Sequence, residues 1–356
     1  MIGGRRHILL LILLPAAGLL AGGCQREPLP PAEDEIRFLV DDEWHSGDGA
    51  ATKAALFDVG ALSTEGSFKV DAYLAGTTGK YIDSDIASYN TETSDWRFDD
   101  DYFWPAADAL DFVAWMPTSL TDTYVSAPTR TAGASPTFVC SGLPLSSSGQ
   151  SSLREFVYAW KPGQSKADPG AAGVTLDFRH PFSRIQIRVT TAHQLLHINT
   201  VKFLGIKNSG TYHHNSPEAS TPVAPSWTDI SGSGDLTIGI DSDLAAGAVF
   251  TDNQLASFGL PFLVIPQSYT ATDQIEVNLE WPKGTTARTI VMANPVSEWQ
   301  TGKSYTYSFD LSDPIRFGVL VTDWATGTVY NQIIFSLTAD GWVNDTTNSK
   351  ELDFGS

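Results

Sequence analysis

Residues 173–191 read GVTLDFRHPFSRIQIRVTT. Apolar and polar residues alternate on both sides of an Arg-His-Pro turn. Val174, Leu176 and Phe178 share one parity, and Thr175, Asp177 and Arg179 the other. Beyond Pro181, Ile185, Ile187 and Val189 alternate with Gln186 and Arg188. A period of two is that of a half-buried β-strand, because successive side chains point to opposite faces. Pro181 has no N–H for a ladder and marks the turn. The stretch predicts two strands folded about residues 179–181.

The same pattern recurs on either side. SFKVDAYLAG (67–76) sets Phe68, Val70, Ala72 and Leu74 against Lys69, Asp71 and Tyr73. ALDFVAWMP (109–117) is apolar on both parities, Leu110, Phe112, Ala114 and Met116 against Asp111, Val113 and Trp115, and is closed by Pro117. That near-continuous run predicts an inner strand. QIEVNLEWP (274–282) carries Ile275, Val277, Leu279 and Trp281 on one face, and SYTYSFDLS (304–312) carries Tyr305, Tyr307, Phe309 and Leu311. IRFGVLVTDW (315–324) and VYNQIIFSL (329–337) add two more strands. Turn residues fill 146–152 and 208–220. Short helical turns are expected only within SSLREFVYAW (151–160) and at Asp243 to Ala246. Many short strands between turns predict an all-β chain of sandwiches, with Phe68, Val70, Phe112, Phe178, Ile187, Val277 and Phe309 buried. KPGQSKADPGAAG (161–173) lacks apolar periodicity and is taken as the break between domains at 36–170 and 173–345, followed by a tail at 346–356.

The N-terminus has another pattern. Arg5 and Arg6 precede an apolar run from Ile8 to Ala21. At about 14 residues the run falls short of the roughly 20 that a membrane-spanning helix requires. A basic head, an apolar middle and small residues make residues 1–23 a secretory signal peptide. Ala21-Gly22-Gly23-Cys24 resembles a bacterial lipobox, which makes Cys24 the acylated first residue of the mature chain. The competing reading is an ordinary signal peptide cut near Gly23. Residues 24–35, Pro-rich and then acidic, form a solvated tether.

Charge narrows the partners. The chain has 41 acidic and 22 basic residues, and removing Arg5 and Arg6 with the signal peptide leaves 20 basic ones. Such a balance excludes the basic footprint of a nucleic-acid binder. It also excludes adsorption to anionic lipid, so membrane attachment falls to acyl chains on Cys24. Cys140 has no second cysteine left to pair with, so no disulfide framework or cysteine metal site is expected. Adjacent His213 and His214 point to opposite faces and do not chelate together; they read as a surface loop. Asp99-Asp100-Asp101 lacks the spacing of a calcium loop and reads as a solvated turn. His180 reads as a structural hydrogen-bonding residue, and Trp96, Trp104, Trp115 and Trp160 as core packing. No nucleophile elbow, phosphate loop or zincin motif occurs. No enzyme activity, cofactor or metal is expected.

In order along the chain, GSFKVDAYLAG, YNTETSDWRFDDDYFWPAADALDFVAWMP, LREFVYAW, VTLDFRHPFSRIQIRV, FLVIPQ, GKSYTYSFDLS and VLVTDWATG resemble the fimbrillins, the subunits of type V pili and related surface lipoproteins. The resemblance spans roughly residues 36–327 and treats 174–189 as a hairpin opening the second domain. It implies two transthyretin-like Greek-key β-sandwich domains in tandem and no catalysis. It further implies export as a lipoprotein, removal of a first strand by a processing protease, and filling of the vacated groove by a strand from another pilin subunit. Here Ile36, Phe38 and Val40 of EIRFLV are the inward residues of the removable strand. Lys53, before Ala54, is the candidate cleavage site, since a cut at Arg37 splits the strand. Val329, Ile333, Phe335 and Leu337 mark a candidate donor strand, or equally an ordinary last core strand. The alternative function is a non-polymerising surface lipoprotein of the outer membrane that binds a glycan or protein of host or bacterial origin.

Overall fold

The computed structural model describes residues 34–40, 67–121, 123–150, 153–168, 173–191, 197–214, 224–239, 262–269, 274–280, 284–310, 316–323, 329–338 and 341–344. In chain order the strands are β1 (Phe38–Val40), β2 (Ser67–Leu74), β3 (Lys80–Asn90), β4 (Asp95–Phe98), β5 (Leu110–Met116), β6 (Thr137–Cys140), β7 (Val157–Gln164), β8 (Val174–Leu176), β9 (Ser183–Thr191), β10 (His197–Ile206) and β11 (Ser209–His213). They continue with β12 (Ser226–Ser231), β13 (Gly234–Gly239), β14 (Phe262–Val264), β15 (Gln267–Ser268), β16 (Gln274–Glu280), β17 (Arg288–Ala293), β18 (Glu298–Trp299), β19 (Lys303–Asp310), β20 (Arg316–Asp323), β21 (Val329–Thr338) and β22 (Gly341–Asn344). The one described helix, α1, is a single turn over Ser147–Gln150. It precedes the stretch expected to hold it, whose last four residues, 157–160, instead begin strand β7. The chain is all-β, as its alternation requires.

Three apolar cores organise the sheets. A seven-stranded sheet, ordered β7-β5-β2-β3-β4-β1-β8, curls until its two edges meet. Tyr158 N donates to Arg179 O at 3.2 Å, and Arg179 N to Tyr158 O at 2.7 Å. Inside lie Phe38, Phe68, Val70, Phe112, Val174, Leu176 and Phe178. A second core lies between a six-stranded sheet (β14-β9-β19-β20-β21-β22) and a four-stranded one (β13-β10-β16-β17). Ile187, Phe203, Val277, Tyr307 and Phe309 fill it. All seven residues chosen as core from the sequence are buried.

The third core lies behind β5. Val113 and Trp115 turn away from the first core and pack, with Tyr73 and Tyr158, against the sheet β12-β11-β6. Strand β5 is therefore buried along its whole length on both faces, which explains the absence of polar alternation in ALDFVAWMP. The cost is Asp111, only 3% exposed. It accepts from Gly76 N at 3.2 Å and Gly163 N at 2.6 Å, and pairs with buried Arg130 at 2.5 Å. A buried carboxylate needs such partners.

Two pairings join sequence halves. Strand β11 pairs with β6 from Gly210↔Cys140 to His213↔Thr137. Gln150 of α1 completes the β14 backbone: its Oε1 accepts from Leu263 N and its Nε2 donates to Leu263 O, both at 2.9 Å. The strands on either side of residues 179–181 both form, but they are not the expected hairpin. Strand β8 pairs parallel with β1 in the seven-stranded sheet, whereas β9 pairs with β14 and β19 in the six-stranded one. Burial keeps alternating through Phe178 to His180. Pro181, lacking an N–H, cannot extend a ladder, and Phe182 enters the third core.

Phe112, fully buried and edge-on to Phe38 at 5.4 Å, is the test of this arrangement. Phe112→Ala should lower unfolding free energy by about 3–5 kcal/mol, read from urea denaturation; a loss below about 1 kcal/mol would contradict a two-sided inner strand.

Candidate functional site

The site built by the N-terminal segment is a slot. Strand β1 is not at an edge: it runs antiparallel to β4, with Phe38 opposite Trp96, and parallel to β8, with Phe38, Leu39 and Val40 opposite Val174, Thr175 and Leu176. The pairing begins earlier. Trp104 N donates to Asp34 O and Ile36 N to Tyr102 O, both at 2.8 Å. On the other side Val174 N donates to Arg37 O at 2.7 Å. Gly173 has φ +102, and a Cβ there would lie 2.8 Å from that carbonyl oxygen, so this approach requires glycine.

Ile36, Phe38 and Val40 point inward, as the alternation demands, at 1%, 0% and 8% exposure. Phe38 is the anchor. Its ring meets Phe68, Phe98 and Phe112 edge-on at 5.9, 5.6 and 5.4 Å, the geometry that aromatic quadrupoles favour. The other face is charged. Arg97 Nε and Nη2 donate to Asp95 Oδ1 and Oδ2 at 2.8 and 2.9 Å. Arg37 lies 3.6 Å from Asp95, and Glu35 lies 3.4 Å from Arg97. Burial pushes the Asp95 carboxyl up, but the bonds from Arg97 and Thr93 and the two arginine charges outweigh it and hold the group below the usual carboxylate range. Lys166 pairs with Asp34 at the entrance.

The other sequence-marked residues fall as follows. Cys24 and Lys53 lie outside the described residues. Arg37 is held in the ladder, its side chain 11% exposed and turned to Asp95. Strand β21 is paired on both sides, with β20 and with β22. Asp99, Asp100 and Asp101 are exposed, and no group of metal-binding side chains occurs among the described residues. His180 is buried, with Nδ1 on Glu155. Cys140 is a free thiol, and burial pushes it up to about 12, which leaves it protonated and inert.

The histidine pair is a correction. His213 ends β11 and its Nε2 meets Thr228 Oγ1 at 2.9 Å, while His214 is 2% exposed in the third core, not on a surface loop. The His214 ring meets that of Tyr158 edge-on, centroids 3.8 Å apart, beside a 2.6 Å hydrogen bond between Tyr158 and Tyr212. Neither ring nitrogen has a hydrogen-bond partner among the described residues. Burial first, then the His213 charge, lowers the imidazole to about 3.

One family of known proteins matches most of this chain. The profile of the fimbrillin-like family matches residues 46–324, beginning after β1. Among solved structures, a protein of Bacteroides uniformis provisionally assigned to cell adhesion is 15% identical, covering 82% of this chain and 97% of its own, with a TM-score of 0.46. A Bacteroides ovatus protein with the same provisional assignment is 13% identical over 82% and 98%, at 0.47. A fimbrial assembly protein of Parabacteroides distasonis is 9% identical over 83% and 97%, at 0.38. No curated protein matches.

His214 gives the third core a pH dependence. Unfolded histidine titrates near 6.5, so between there and about 3 the unfolded chain binds the extra proton and stability rises with pH. The contribution is complete above pH 6.5 and falls by up to about 1.4 kcal/mol per unit below it. His214→Phe should flatten urea-derived stability between pH 4 and 6.5; an unchanged slope would show that other groups set it.

Proposed function

We propose that this chain, which belongs to the fimbrillin-like family, is a structural subunit or accessory component of a type V pilus, serving adhesion at the cell surface. The observation that carries the reading is the interior position of β1. A strand at an edge leaves one row of unpaired groups when lost. A strand between two others leaves two rows, on β4 and β8, together with the pockets of Ile36, Phe38 and Val40. Only another extended strand satisfies both.

In this reading the precursor is exported as a lipoprotein acylated on Cys24 and held at the outer membrane. A processing protease then cuts between β1 and β2, and a strand of another pilin subunit enters the slot. Lys53 is the proposed cut. The burial of Arg37 against Asp95 supports it, since a protease must thread its substrate extended through its own active site. The segment Val329 to Leu337 is the proposed donor to a neighbour. To serve so it leaves β20 and β22.

Two measurements test this. Cys24→Ala should abolish incorporation of labelled palmitate and move the protein to the soluble fraction; continued labelling would refute acylation at that residue. Limited trypsin treatment of the folded protein should cut first at Lys53 and open the slot to an added strand, and Lys53→Ala should prevent both. If surface protein in assembled fibres always begins at acylated Cys24, strand release does not operate, and the non-polymerising surface lipoprotein with a glycan or protein ligand takes its place.

A further inference from the structure

The slot has two faces, and they select differently. The inner face asks for apolar side chains at alternate positions with an aromatic ring in the middle: Ile36, Phe38, Val40. The sequence of β21 meets that demand in the same spacing with Ile333, Phe335 and Leu337. By the apolar face alone, this chain's own β21 fits the slot of a second copy.

The outer face does not accept it. With Phe38 opposite Trp96 in an antiparallel pair, Arg37 falls beside Arg97. Two arginines side by side repel unless an acid lies between them. Asp95, 4% exposed, is that acid: it holds Arg97 in a two-pronged hydrogen bond and Arg37 by charge. Glu35 then neutralises the far side of Arg97 at 3.4 Å. The order Glu35, Arg97, Asp95, Arg37 alternates in sign across the two strands. Aligned by its apolar triplet, β21 offers Gln332 in place of Glu35 and Ile334 in place of Arg37. It would cover Asp95 and Arg97 without returning either charge partner, and burying charge without a partner is unfavourable.

We propose that Asp95 and Arg97 on β4 make the slot specific for a strand of the pattern acid–apolar–base–aromatic, and so bias it against the β21 strand of another copy of the same chain. The occupant it favours is a segment of a different protein carrying that alternation. The inference rests on the strand-release reading above and adds the chemistry of the partner to it.

The test uses the full chain from residue 24, with Cys24→Ser and a specific protease site inserted between β1 and β2. After cleavage, three fluorescent peptides compete for the slot: Asp34–Val40 itself, the same peptide with Glu35→Arg and Arg37→Glu, and Asn331–Leu337. Anisotropy gives the apparent affinity of each. The native peptide should bind on the order of tenfold or more tightly than either of the others, since each leaves buried charges unmatched. Equal binding of all three would overturn the charge selection and leave strand release standing. Failure of every peptide to enter, the native one included, would overturn strand release and the selection with it.

Discussion

A backbone amide or carbonyl withdrawn from water must find a partner, and in the slot between β4 and β8 this rule acts on both sides of one short segment. Seven residues, 34–40, satisfy two neighbouring rows at once. Without them the seven-stranded sheet has no continuous path from β4 to β8. Its closure at Tyr158 and Arg179 depends on that continuity, because β8 is held in the sheet through β1. The aromatic cluster around Phe38 depends on it too. One short segment therefore governs the curl of the sheet, the filling of its core and the pairing of Asp95.

The strand positions were legible because this chain writes its cores as alternation. QIEVNLE puts its buried residues where a period of two places them, whereas in SFKVDAYL the period holds through Val70 and then Asp71 and Tyr73 are buried on the opposite face as well. ALDFVAWM announced its two-sided burial by lacking polar alternation. What the sequence concealed were elements whose burial is not apolar in composition. Strand β11, SGTYH, looks like a loop, yet its Tyr212 is wholly buried and the His214 that follows is only 2% exposed. Strand β3, KYIDSDIASYN, is largely polar and bends at Ser84, whose backbone has φ 53 and donates to Asp71.

Pairing partners were harder still. A period reports which face is buried, never which strand lies alongside. The apparent hairpin at residues 173–191 separates into two sheets, and nothing in its alternation distinguishes that outcome. For the site, the inward triplet Ile36, Phe38 and Val40 was readable from EIRFLV. The charge order through Asp95 and Arg97 was not, because it joins residues some sixty positions apart.

The pairing of β6 with β11 and the grip of Gln150 on Leu263 carry a mechanical meaning. Two beads on a flexible linker stretch under tension before either bead is loaded. Here strands from the two sequence halves are hydrogen-bonded side by side, so a pull on one half loads the other at once. Stretching such a body means breaking those hydrogen bonds, not straightening a linker between its halves.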